Sequence, residues 1–292
     1  MFRQLLINGL IAGSLYALVG VGFSLIFRIL KFFHFTHGLS YALGAYTAFV
    51  IYRSSNYSLI LVLVAAPLLT AIFGIAINLV LYRPLRNRNA TPLVSLVASL
   101  GAYLVGQNVL SIAFGDDAKS IRPDVVVVGM NLWGAYITFT QLMIIASAVV
   151  VIAACALWLS STRLGTQIRA VASDSLLSTV AGVPNNRIVM TTIMIGTGLG
   201  GLAGVLGALD RAIVPTMGLN ALLMGVIAMI IGGKESLGGV ALGGCVVGLA
   251  QNLAVLWIPA AWQDSIVFVI LVAFLLFRPQ GFWGRPLRKV TV

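Results

Sequence analysis

The chain is short of charge. Of its 292 residues only 9% are Asp, Glu, Lys or Arg, against roughly a quarter in soluble domains. With 60% hydrophobic residues, a water-exposed globule would have too few charged groups to cover its surface. Lipid removes that requirement, because side chains facing it are apolar. Acids are scarcer than bases, seven against eighteen, for a net charge of +11. The bases are scattered through short gaps between apolar runs, which excludes a nucleic-acid face and points to loops on one side of a membrane. The two cysteines, Cys155 and Cys245, lie inside apolar runs, so neither a disulfide framework nor a metal site is indicated.

Ionisable side chains are also missing from the middle of every long apolar run. Ion-coupled transporters place such groups there, and a membrane enzyme needs an acid–base pair or an activated nucleophile. The turn from Gly232 to Ser236 superficially resembles a phosphate-binding loop. It has Ala228 where that loop needs glycine and Glu235 where it needs Ser or Thr, so the chain should bind no ATP of its own. His34 and His37 stand three apart with no carboxylate or cysteine nearby, and two ligands make a poor metal site. A packing or helix-entry role suits them better. No cofactor is expected on this chain.

What the chain has is long apolar runs. A membrane span needs about 20 mostly apolar residues. Nine runs qualify or nearly do, at 5–27, 35–52, 58–82, 93–114, 138–159, 188–209, 214–232, 238–257 and 266–277. The expectation is an all-α, polytopic bundle of eight to ten segments forming a single domain over 1–292. The first run is too long for the core of a signal peptide and reads as an uncleaved span. Arg83, Arg86 and Arg88, then Arg163, Arg169 and Arg187, then Arg278, Arg285, Arg288 and Lys289 mark the 83–92 loop, the 160–187 loop and the C-terminal tail as cytoplasmic. Asp116, Asp117 and Asp124 outweigh Lys119 and Arg122 in the 115–136 loop, which is therefore external. Counting back puts the N-terminus outside, with Arg3 as the one dissent.

Small residues recur every four positions, at Gly196, Gly200, Gly204 and Ala208, at Gly239 and Gly243, at Gly244 and Gly248, and at Gly9, Gly13 and Ala17. Such faces let helix backbones approach closely in lipid. The polar residues inside the runs are neutral. Asn8, Tyr16, Gln107, Asn108, Gln251 and Asn252, with His37, are the candidates to line a wet path; interhelical hydrogen bonding is the alternative reading for each.

The 160–187 loop carries the most information. Ala170 to Ala181 has helical spacing, with Ala170, Val171, Leu177, Val180 and Ala181 able to share an apolar side. Ser173 or Asp174 can act as an internal cap, and Gly182 and Pro184 end the segment. With no Trp or Phe and only Arg169 nearby, this helix suits docking on a partner better than lying in lipid.

Several stretches, in order, resemble the branched-chain amino acid ABC permease family. They are "NGLIAGSLYALVGVG" at 8–22, "HFTHGLSYALGAY" at 34–46, "YRPLR" at 82–86 with the span after it, "RAVASD…AGV" at 169–183, and the glycine-rich spans at 196–207 and 238–248. The "YRPLR" loop favours the first of the family's two permease types. The chain departs from the family pattern at Arg28, at His34 where Asn is usual, and at Lys234 and Glu235.

The resemblance implies a permease of the type II importer class in the bacterial inner membrane, a transport subunit and not an enzyme. It would pair with a second, homologous permease subunit, two cytoplasmic ATP-binding subunits that hold the ATP, and a periplasmic substrate-binding protein. Arg169, Ala170, Asp174, Leu176, Leu177, Ala181 and Gly182 would form the ATPase-coupling surface, with Asp174 offered to a basic rim residue. Branched-chain or related small amino acids are the expected substrates. An ABC permease for urea or amides, a stand-alone secondary transporter and a membrane-embedded enzyme are the competing readings.

Overall fold

Lipid offers the backbone no hydrogen-bond partners, so each apolar run satisfies its own N–H and C=O groups as a helix. The computed structural model describes residues 1–54, 59–121, 129–132 and 134–283. Arg122, Asp124, Arg285, Arg288 and Lys289, used above for orientation, lie outside the described residues. Among the described residues twelve α-helices run in chain order: α1 (Phe2–Leu30), α2 (Thr36–Ser54), α3 (Leu59–Ile77), α4 (Arg83–Asn87), α5 (Pro92–Phe114), α6 (Phe139–Ser161), α7 (Arg163–Ser173), α8 (Ser175–Val180), α9 (Asn185–Asp210), α10 (Met217–Gly232), α11 (Leu237–Leu253) and α12 (Gln263–Phe277). A π-helical turn, Asn78–Tyr82, joins α3 to α4. A short antiparallel hairpin, β1 (Met130–Leu132) and β2 (Ala135–Ile137), lies in the connection between α5 and α6.

All nine expected segments are helices. Seven are long and apolar enough to cross a membrane, and α2 and α10 are the two that fall short. The reasons differ: α10 is apolar but only 16 residues long, whereas α2 is long enough but less apolar, and burial explains the second. Ser40, Ala42, Ala45, Tyr46 and Ala48 of α2 and Leu222, Ala228 and Ile231 of α10 are almost wholly buried. A helix shielded by its neighbours need not be as apolar as one facing lipid. By contrast, α12 exposes Val269, Val272, Leu276 and Phe277.

Two boundaries move. The third span continues through the "YRPLR" motif, so Arg83 and Arg86 lie on helix and the turn begins only at Arg88. There Asn89 takes a positive φ of 52°, and Thr91 caps α5, its hydroxyl accepting from the Val94 N–H.

The helices group into two compact units. One comprises residues 25–126 and 153–222, the other 1–24, 127–152 and 223–292. In the first, α9 lies against α2 and α3. A Cβ on Gly201 would fall 2.0 Å from the Thr70 hydroxyl, one on Gly204 1.9 Å from the Tyr41 carbonyl oxygen, and one on Gly200 2.9 Å from the His37 ring. The small-residue face at 196–208 is therefore a helix contact, as its spacing predicts.

In the second unit the other small-residue faces meet one another. Gly9 and Gly13 of α1 abut Leu249, Gly248 and Cys245 of α11, and Gly244 abuts Ala17. One turn round α11, Gly239 and Gly243 abut Gly232 and Ala228 of α10. The two interleaved glycine pairs of α11 thus serve two different neighbours.

Candidate functional site

The segment between α6 and α9 folds as two short helices, not one. At Asp174 the backbone swings to φ −148°, ψ 110°, which ends α7 and starts α8. The Asp174 Oδ1 accepts from the N–H groups of Leu176 and Leu177 at 2.8 and 2.9 Å, an N-cap for α8. The break rotates the apolar residues onto opposite sides. Ile168 and Val171 of α7 turn inward and are buried, whereas Leu176, Leu177 and Val180 of α8 are 78%, 69% and 83% exposed. The single apolar side expected from helical spacing is therefore split: Val171 is in the core, and Ala170 and Ala181 are exposed with α8.

The Asp174 Oδ1 is engaged in capping, and the residue stays exposed. Arg169 turns back, donating to the Leu159 carbonyl and, at 3.0 Å, to the Thr166 hydroxyl; it closes the corner between α6 and α7. Gly182 follows α8 with φ 81°, the left-handed conformation that ends helices. Asn185, at the start of α9, braces α8 through Ser175 O at 2.6 Å, Thr179 Oγ1 at 2.7 Å and Ser178 Oγ at 3.0 Å. Lys31 donates to the Ala172 carbonyl at 2.6 Å. The segment presents a fixed apolar tip on a polar frame.

The path candidates divide. Tyr16 on α1 donates to Gln251 Oε1 on α11 at 2.7 Å, and Gln251 Nε2 donates to Asp264 Oδ1 on α12 at 2.7 Å. Three helices of one unit thus share one polar chain. Asn8 accepts from Gln4 at 3.1 Å. Asn252 and Asn108 donate to the backbone one turn back on their own helices, to Gly248 and Leu104. Gln107 is half-buried. His37 is fully buried beside Gly200. His34, also fully buried, lies with Nδ1 2.7 Å from the Tyr82 hydroxyl, which is 2.9 Å from the Thr36 hydroxyl. It is a structural histidine at the α1–α2 turn, and burial together with the nearby His37 holds its pKa well below the ordinary value.

A family of branched-chain amino acid transport system permease components matches residues 5–275. The chain belongs to this family. The permease is 31% identical to the high-affinity branched-chain amino acid transport system permease protein BraD of Pseudomonas aeruginosa, over 98% of this chain and 96% of that protein. It is 29% identical to the permease protein LivH of Escherichia coli over the same shares. It is 24% identical to a probable LivH permease of Methanocaldococcus jannaschii, over 99% of this chain and 94% of that one. No solved structure matches. The permease is a multi-pass inner-membrane transport subunit and not an enzyme.

Asp264 of the permease escaped the sequence reading. The last apolar run in the sequence begins at Ile266, which leaves the acid outside it. The helix starts three residues earlier and carries Asp264 into its first turn, where a carboxylate suits the helix dipole. Glutamine thirteen residues upstream was the only available signal, and no sequence spacing joins residues on separate helices.

Proposed function

We propose that the permease forms half of the membrane pore of an ATP-driven importer for branched-chain or related small amino acids. It works with a second, homologous permease subunit, two cytoplasmic ATP-binding subunits and a periplasmic substrate-binding protein. The relatives named above belong to branched-chain amino acid systems, which supports the substrate class. Within the pore, the neutral chain Tyr16–Gln251 suits a zwitterion that passes without tight binding, and specificity then rests with the binding protein.

The observation that carries the reading is the α8 tip. Leu176, Leu177 and Val180 are exposed on a six-residue helix that has no lipid-anchoring aromatic residue, while Asp174, Ser178, Thr179 and Asn185 around them are engaged in bracing it. An apolar tip on a rigid frame suits insertion into a groove of an ATP-binding subunit. Closure of the ATPase pair then moves α7 and α8 as one piece, and the glycine-packed helices carry that displacement onward.

Leu177→Asp tests it. Burying an unpaired carboxylate costs several kcal/mol, a large share of the roughly 8 kcal/mol of a micromolar contact. The variant should insert normally, lose ATP-driven uptake and no longer co-purify the ATPase. Full uptake with undiminished ATPase retention would sink the assignment.

A further inference from the structure

We infer that the permease binds the phosphate of an anionic phospholipid headgroup in a pocket between the end of the third span and the start of α9. The pocket has a volume of about 250 Å³ and is lined by Asn78, Leu79, Arg83, Arg86, Asn186, Arg187 and Met190. Three guanidinium groups converge on it and no carboxylate lines it. Arg83, Asn186 and Arg187 are exposed at the rim, Arg86 is half-buried, and Asn78 is buried.

Loop arginines that only set topology remain solvated. Arg86 does not. Its Nη1 donates to Asn78 Oδ1 at 3.2 Å, and its Nη2 is buried with no hydrogen-bond partner among the described residues. A guanidinium has a fixed fork of donors that matches phosphate oxygens in pairs. The floor of the pocket therefore holds a donor in need of an anion, and the rim supplies two more cations. The first turn of α9, with Asn186 and Arg187, adds the positive end of a 26-residue helix.

The π-helical turn Asn78–Tyr82 makes the pocket. It widens the helix by a residue at the point where the apolar span gives way to Arg83 and Arg86. Leu79 lines the pocket and is exposed, as is its neighbour Val80. Basic groups immediately above apolar, membrane-facing surface fit a ligand with an anionic head and an acyl tail. A free phosphate ester would use the same arginines but gain nothing from Leu79 and Met190. Basic pockets between spans on the cytoplasmic side take anionic lipid heads in general.

The test uses the whole purified transporter, delipidated in detergent. Its thermal stability is titrated with phosphatidylglycerol, with phosphatidylcholine and with inorganic phosphate alone, for the wild type and for Arg86→Gln and Arg187→Gln. Phosphatidylglycerol should stabilise the wild type, phosphatidylcholine much less, and each substitution should weaken the phosphatidylglycerol response about tenfold. Arg187, whose exposed side chain makes no hydrogen bond among the described residues, keeps the test valid if Arg86→Gln misfolds. Equal stabilisation by inorganic phosphate would overturn the lipid assignment in favour of a free anion. Equal stabilisation by phosphatidylcholine would overturn the anionic requirement. An unchanged lipid response with loss of ATPase retention in Arg187→Gln would make the pocket a protein contact instead.

Discussion

Single side chains decide this structure where two helices touch. Gly204 and Gly198 sit one and a half turns apart on α9 and face different surroundings. A Cβ at 204 would lie 1.9 Å from the Tyr41 carbonyl, and one at 198 would lie 3.5 Å from the nearest atom, the Pro67 carbonyl. Gly204→Ala should therefore cost about 1–3 kcal/mol of stability, the usual toll of overpacking, while Gly198→Ala should be neutral or mildly stabilising because alanine is the better helix former. Thermal unfolding of the two variants in detergent separates them; equal midpoints would remove the steric account. His34 sets a pH dependence at the same scale. Its folded pKa lies below the unfolded value of about 6.5. As pH falls below about 6.5 the unfolded chain takes up a proton that the folded chain refuses, so stability is lost towards the lowered folded value and is fully present above 6.5. The expected result is a melting temperature that declines on mild acidification. In His34→Asn, which restores the family's usual residue, that decline should flatten. An identical acid slope in both proteins would rule His34 out as its source.

At the scale of elements, the segment between α6 and α9 shows which features a sequence carries and which it hides. Its existence, its cap at Asp174 and its end at Gly182 were legible, because caps and left-handed glycines are local chemistry. The split into α7 and α8 was not. Helical spacing continues unbroken through Asp174, and only the Asp174 Oδ1 bonds to Leu176 and Leu177 show that capping wins over continuation. That competition is intrinsic to aspartate, whose side chain offers the backbone an alternative partner. Asp174→Ala should thus remove about 0.5–2 kcal/mol from α8 and let α7 run on into it, carrying Leu177 round by a fraction of a turn. Uptake should fall with little change in global melting, since the segment lies outside the main core. Hydrogen exchange at the Leu176 and Leu177 amides should speed up in the variant; unchanged exchange there would show that the cap does not hold the corner. The polar chain from Tyr16 to Asp264 was only half legible for a different reason. Periodicity reports which side of its own helix a residue occupies, and partners on α1, α11 and α12 become neighbours only through packing.

For the whole molecule the unsettled question is whether α2, too polar for a span by composition, crosses the membrane. Contacts between distant loops bear on it. Lys119 and Ile213 exchange backbone hydrogen bonds at 2.9 and 2.8 Å, with α6 and α9 between them in sequence. Gln4 exchanges two with the backbone of Tyr136, at 2.9 and 2.8 Å, and Lys31 reaches Ala172. Residues in such contact lie on one side of a bilayer, so an even number of crossings must separate them. From Gln4 to Tyr136 the helices are α1, α2, the α3–α4 span and α5; from Lys31 to Ala172 they are α2, the α3–α4 span, α5 and α6. Both counts are even only if α2 crosses. The same reasoning gives α10 a full crossing, because Ser24, near the end of α1 that leads to Lys31, donates to the Lys234 carbonyl at 3.3 Å, whereas Ile213 shares the side of Lys119. The Lys/Arg asymmetry then fixes the sign, with Lys31 and Asn89 inside and Arg53 and Asp117 outside. Lys31 is the informative position, since the crossings of the α3–α4 span and α5 already put Arg53 on the side of Asp117 and only the α2 crossing puts Lys31 on the other side. In a chain with Cys155 and Cys245 replaced by alanine, Arg53→Cys and Asp117→Cys should react with an impermeant maleimide added to spheroplasts, and Lys31→Cys and Asn89→Cys only after permeabilisation. Labelling of Lys31→Cys in spheroplasts, with Asp117→Cys labelled and Asn89→Cys protected as expected, would make α2 a re-entrant segment and reduce the permease to eight crossings.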